Sequence, residues 1–234
     1  MKAKQIEKLL TGVMNNLIDS VTDDEIKNLI KDTSFITGGC IPSMLMDEYV
    51  NDYDIYFRAQ NYVEPVKKYY EKQPLAKEIF TERGKKVFLP KLITENAINL
   101  TDKIQIIVKF FGNPEEVIQH FDWQHIKSYF SLKDGLVLTN DVYKLIVEKE
   151  LVYTGSNYPL SSLLRLRKFL KSPNFLTLKY VIFPSNTDKK YQYFRLLINY
   201  YDVFQKYNFH LLAEHENPNE EGCMYVFKKK QASS

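Results

Sequence analysis

The stretch from residue 35 to residue 57 constrains this chain more than any other. Phe35-Ile36-Thr37 runs into Gly38-Gly39, twelve residues follow, and then comes Asp52-Tyr53-Asp54-Ile55. The β-branched and aromatic residues on either side predict two short strands, 34–37 and 53–57. A strand that ends in Gly-Gly lets the backbone approach a phosphate with no side chain in between. Pro42 marks the first turn of a short helix, Pro42 to Glu48, whose leading amides face the same anion. Two aspartates spaced by two along a strand project both carboxylates from one face. Such a pair holds Mg²⁺, with nucleotide phosphates completing the octahedron. Two such ions about 4 Å apart clamp an in-line phosphoryl displacement.

These residues resemble the motif of the nucleotidyltransferase superfamily related to DNA polymerase β. That motif is a hydrophobic residue, Gly-Gly or Gly-Ser, a spacer of roughly nine to thirteen residues and Asp-hydrophobic-Asp-hydrophobic on a strand. The spacer length, and the run Gly38-Gly39-Cys40-Ile41 through Met44-Leu45-Met46, are most similar to the CCA-adding and poly(A) polymerase branch. The resemblance implies an α+β fold, a mixed sheet flanked by helices. It implies Mg²⁺-dependent transfer of a nucleoside monophosphate from an NTP to an RNA 3′ end or another hydroxyl, with pyrophosphate released. Asp52 and Asp54 are then the metal ligands, and Gly38 and Gly39 the triphosphate cradle. The CCA-adding branch carries Arg-Asp where this chain has Pro42-Ser43, which leaves Ser43 as the polar candidate for a nucleotide contact there.

A third carboxylate on a later strand is usual in this superfamily. The strand candidate Ile104-Gln105-Ile106-Ile107 offers only neutral Gln105. Phe121-Asp122-Trp123 offers hydrophobic-Asp-hydrophobic, so Asp122 is the candidate for a further ligand or a general base. Its competing reading is a capping or surface aspartate beside a core Phe-Trp pair. His125 is a phosphate contact or, more commonly, a structural hydrogen-bonder. His120, His210 and His215 have no metal-site spacing.

Tyr153-Thr154-Gly155-Ser156-Asn157-Tyr158-Pro159 introduces a helix over 159–171. Leu160, Leu163, Leu166 and Leu170 make its core stripe, Arg165 and Lys168 share one flank, and Arg167 and Lys171 another. Arg165 and Lys168 are candidates to meet a triphosphate or a nucleic-acid backbone. The alternative is a solvated basic face. The order of the Phe-Asp-aromatic, Tyr-Thr-Gly-Ser and Pro-Leu-Ser-Ser-Leu-Leu-Arg segments is similar to that in bacteriophage-encoded nucleotidyltransferase-like proteins, over most of 33–172.

Helical periodicity predicts helices over 4–19, 23–31, 62–81 with a break near Pro74, 140–149 and 190–206. Further strands are predicted at 87–89, in a hairpin 95–110 around Thr101-Asp102, near 121–130 and at 223–230. Asn113-Pro114 opens a helix. The expected organisation is a nucleotidyltransferase-like α/β domain at 1–145 and a mostly helical C-terminal region at 146–234. The hydrophobic share of 44% excludes disorder, and no apolar run approaches the roughly 18–20 residues of a membrane helix. Two cysteines make neither a disulfide framework nor a zinc site, and the N-terminus lacks an apolar signal segment. The expected compartment is the cytoplasm, that of the host if the chain is phage-encoded. Two other functions fit the same motif: a catalytically degenerate binding module or phage structural component, and a nucleotidyltransferase toxin or antitoxin.

Overall fold

The structure is a computed structural model. It describes residues 1–78, 80–82, 84–156, 159–171, 174–175, 177–182, 209–216 and 223–229. These divide into two compact units: Met1–His120 with Ile126–Thr139, and Phe121–His125 with the chain from Asn140 onward.

The first unit is built on a mixed sheet of seven strands, and the chain is α+β. The strands are β1 (Ser34–Thr37), β2 (Tyr53–Phe57), β5 (Pro90–Ile93), β6 (Ala97–Leu100), β7 (Ile104–Ile107), β8 (Tyr129–Ser131) and β9 (Gly135–Val137), in the order β5-β6-β7-β2-β1-β8-β9. Within this sheet only β2 and β7 pair in parallel. A separate hairpin joins β3 (Phe80–Glu82) to β4 (Lys85–Val87).

Helices α1 (Ala3–Ser20), α2 (Asp24–Thr33) and α4 (Gln60–Glu71) supply the other half of the core. On α1, Ile6, Leu10, Met14 and Leu17 recur every three or four residues and are fully buried. Asp23 caps α2, its carboxylate accepting from the amides of Glu25 and Ile26 at 2.9 and 3.1 Å. The register puts Ile98, Ile106, Ile55, Ile36 and Phe130 in one row across the sheet, all in the same hydrophobic cluster as these helices. The next row, Asn99, Gln105, Asp54, Thr37 and Tyr129, therefore faces the other side. Phe35 and Tyr56 lie on that side too, stacked at 5.8 Å.

Several boundaries differ from expectation for identifiable reasons. α4 stops at Glu71 rather than running to 81, because Gln73 precedes Pro74 and is biased away from helical backbone. The Pro42 helix is α3 (Cys40–Leu45), starting two residues earlier with Gly39 as its N-cap. The strand expected at 87–89 is β4, ending at Val87. The strand expected over 121–130 is instead a single bridge at Trp123, a 3₁₀ turn Gln124–Ile126 and then β8. Helix α5 (Pro114–Gln119) begins as expected, with Asn113 as N-cap and its amide donating to Glu116 Oε2 at 3.0 Å.

The second unit has helices α6 (Asn140–Glu148) and α7 (Pro159–Lys171). It also holds a four-stranded sheet, β10 (Glu150–Tyr153), β11 (Thr177–Ile182), β13 (Cys223–Lys229) and β12 (Phe209–Glu216), in that order. The described part of the C-terminal region is therefore not mostly helical. β10 pairs in parallel with β11 across α7, a long-range pairing that hydrophobic periodicity does not register. The helix expected over 190–206, the side chains of Leu160 and Leu163, and Asn157 and Tyr158 lie outside the described residues.

Candidate functional site

β1 and β2 are antiparallel neighbours, so the end of β1 and the start of β2 meet at one end of the sheet. Thr37 stands opposite Asp54. Gly38 continues from Thr37 with φ +91°, a conformation that side chains disfavour. A Cβ on Gly38 would stand 3.1 Å from Asp54 Oδ2, and one on Gly39 would meet nothing within 4 Å. The Gly-Gly step thus lies against one predicted carboxylate and leaves the space beside Gly39 open. Asp54 is partly buried on β2, and Asp52 is exposed one residue before the strand begins. Ser43 lies half-buried on α3, its amide bonded to the Gly39 carbonyl at 3.1 Å.

Cys40, the first residue of α3, is buried with its Sγ 4.0 Å from the Thr37 carbonyl oxygen. Burial, then the charge of Asp54, and then that of Asp52, push its thiol far above the usual range. Cys40 therefore stays a neutral thiol, and both carboxylates contribute to the field at its sulfur. Tyr53, between the two aspartates, is also pushed up, first by burial and then by Cys40.

Gln105 on β7 is the register partner of Asp54, with Asn99 on β6 beyond it. The sheet position beside Asp54 thus carries a neutral amide. Among the described residues no group of three or more His, Cys, Asp or Glu side chains is placed to hold a metal ion. Two carboxylates suit Mg²⁺, which takes one or two protein carboxylates and fills its octahedron with phosphates and water.

The remaining sequence candidates fall in the second unit. Asp122 is only 3% exposed. Its Oδ2 accepts from Arg165 Nε at 2.9 Å and from Arg165 Nη2 at 2.7 Å. Asp122 and Arg165, read from the sequence as parts of a nucleotide site, are here partners of each other. Lys168 is exposed one turn along α7, and Leu166 and Leu170 are buried as the stripe required. The Tyr-Thr-Gly-Ser segment is fastened to the Phe-Asp-aromatic one. Thr154 donates from its amide to the Asp122 carbonyl at 2.8 Å and from its hydroxyl to the Phe121 carbonyl at 2.9 Å.

His125 is enclosed in the same unit, with the Phe169 and Phe175 rings at 4.7 and 4.9 Å. Its Nδ1 and the Nε1 of Trp123 are buried without a hydrogen-bond partner. Burial lowers the His125 pKa to about 3, so the ring is neutral and packs as an aromatic. Its sequence reading as a phosphate contact is not supported by this burial. The residue that sequence reasoning passed over is Lys103, bonded to the backbone on both sides of Asp52. Its only sequence signal was a charged residue in the turn between two strands.

No described helix is long and apolar enough to cross a membrane. Among solved structures, the chain is similar to the Thermotoga maritima CCA-adding enzyme complexed with tRNA, at 14% identity and a TM-score of 0.41 over 82% of this chain and 46% of that one. It is likewise similar to the Bacillus stearothermophilus CCA-adding enzyme in complex with CTP, at 13% identity and a TM-score of 0.39 over 73% of this chain and 39% of that one. Among curated proteins, "Gabija anti-defense 2" of Bacillus phage SPbetaL7 is 26% identical over 160 residues. That match takes in 66% of this chain, which spans 37% of the relative's length. The model of the Gad2 family, described as Gabija anti-defense 2 family protein, matches residues 8–149. With more than half of its length matched by that model, the chain belongs to the Gabija anti-defense 2 family.

Proposed function

We propose that this chain is a phage anti-defense protein, acting against a Gabija defence as its family's name states, and that it works through a nucleotidyltransferase-type site. In this reading Gly38 and Gly39 receive the triphosphate of an NTP, and Asp52 and Asp54 hold Mg²⁺. The observation that carries it is the meeting of Gly38 with Asp54: a left-handed glycine set against a carboxylate, with open space beside the next residue. A phosphate can come close to the backbone there, and a cation on the carboxylate would offset the repulsion between the two anions. When bound, the metal would neutralise phosphate charge and polarise the bond to be broken. Gly39 leaves room for the phosphate chain, and Cys40, held neutral, takes no part as nucleophile or ligand. The acceptor is a hydroxyl, with an RNA 3′ end the first to be examined.

A second reading is favoured by one observation. Gln105 occupies the sheet position beside Asp54, and a neutral amide is a poor Mg²⁺ ligand. A site with two carboxylates can bind a nucleotide without transferring it, and the chain would then act as a binding module. Two assays on wild type and Asp52→Ala/Asp54→Ala separate the readings: transfer of label from [α-³²P]NTPs to RNA, protein or small molecules of a host lysate, and phage plating on a host carrying a Gabija defence. Transfer and restored plating by wild type, both lost in the variant, are the expected results. Plating lost in the variant, with no transfer by wild type to RNA, protein or small molecules of a host lysate, supports the binding module. Plating restored equally by the variant contradicts any role for the site.

A further inference from the structure

We propose that Lys103 is a positioning residue for the nucleotide site, fixing the segment that carries Asp52 from both of its ends. The inference rests on the nucleotide reading of that site. Lys103 immediately precedes β7, which runs parallel to β2 with Ile104 opposite Tyr53. Its backbone carbonyl accepts from the Tyr53 amide at 2.8 Å. Its ammonium donates to the Val50 carbonyl at 2.9 Å and stands 3.8 Å from the centre of the Tyr49 ring. Asp52 therefore lies between two residues bonded to Lys103: Val50 two positions before it and Tyr53 one position after. Asp52 is exposed and outside the strand, so the sheet ladder alone does not set where its carboxylate stands.

The backbone of the turn supports a role beyond closing a hairpin. Asp102 has φ +56° and Lys103 φ +66°, both in the left-handed region. Left-handed backbone is ordinarily left to Gly, Asn or Asp, and a long side chain there is strained. Strained positions persist where surrounding contacts over-determine them. Here those contacts are the Val50 carbonyl, the Tyr49 ring and, for Asp102, the Lys86 ammonium at 2.6 Å. Glycine would suit the backbone better, yet it carries no donor to reach the Val50 carbonyl. Tyr49, 72% exposed, keeps its ring beside that cation rather than in a core. Lys103 thus holds the loop after α3 against β7 and sets Asp52 beside Asp54.

The test uses Lys103→Gly, Lys103→Arg and Asp54→Ala in the same chain. Lys103→Gly removes the ammonium but relieves the turn, so its melting temperature should stay within a few degrees of wild type. Its affinity for Mg²⁺·NTP should nonetheless fall by about tenfold or more. Amide hydrogen exchange over residues 48–52 should quicken, and Lys103→Arg should restore affinity to within about threefold of wild type. A merely structural lysine would not combine near-unchanged stability with weaker binding. Wild-type affinity in Lys103→Gly, with binding lost in Asp54→Ala, overturns this inference and leaves the nucleotide site standing. No binding by wild type, or unaltered binding by Asp54→Ala, overturns the nucleotide reading and this inference with it.

Discussion

At Gly38 the backbone angle and the neighbouring carboxylate make the same demand, since both require a residue without a side chain. That position was legible because two glycines after a strand have few other uses. His125 was not. Its sequence neighbours gave no hint that Phe169 and Phe175, far along the chain, would enclose it. Its burial has a measurable consequence. The folded-state pKa, about 3, lies below the ordinary 6.5, so as pH falls through that window the unfolded chain takes up a proton that the folded chain refuses. The stability is intact above about pH 6.5 and declines towards pH 3, by about 2 kcal/mol at pH 5. His125→Phe removes that dependence and the unpartnered Nδ1 together. Urea unfolding at pH 7 and pH 5 should show a smaller loss for His125→Phe than for wild type. An equal loss in both would mean that His125 is accessible to protons in the folded protein.

Between elements, the informative contact is the pair made by Asp122, before the 3₁₀ turn, and Arg165 on α7. The two ends differ in environment, with Asp122 3% exposed and the Arg165 side chain 44% exposed. Removing the exposed partner strands the buried one, and the reverse change leaves a guanidinium that water can reach. Arg165→Ala should therefore cost about 2–3 kcal/mol of stability and Asp122→Ala about 1 kcal/mol. Denaturant midpoints decide it, and a larger loss in Asp122→Ala would contradict this account of the pair. From sequence the two residues stood apart, Asp122 as a further metal ligand or general base and Arg165 as a triphosphate or nucleic-acid contact, because spacing within α7 reveals its own faces but not what approaches them. The same limit explains the sheets. β1 and β2 were legible to the residue, being runs of β-formers bounded by polar residues and glycine. β10 and β11 draw their pairing from chain far apart, and β5 and β9 are short edge strands without alternation.

Across the molecule, one end of the seven-stranded sheet gathers the end of β1, the start of β2 and the start of β7. That convergence brings Gly38 against Asp54, leaves open space beside Gly39, and places Lys103 in hydrogen bonds on both sides of Asp52. The site's outline was legible because strand, Gly-Gly and Asp-x-Asp are contiguous or nearly so. Its bracing was not, since Lys103 reaches it only through the β2–β7 pairing. The neutral Gln105 beside Asp54 makes nucleotide binding the property on which every further claim depends. The measurement that tests it most directly is calorimetric titration of ATP, GTP, CTP and UTP into the chain, with and without Mg²⁺. Wild type and Asp52→Ala/Asp54→Ala are compared at equal foldedness by circular dichroism. The expected result is saturable, Mg²⁺-dependent binding of at least one NTP by wild type, weakened about tenfold or more in the variant. No binding of any NTP by folded wild type, or equal binding by the variant, would contradict it.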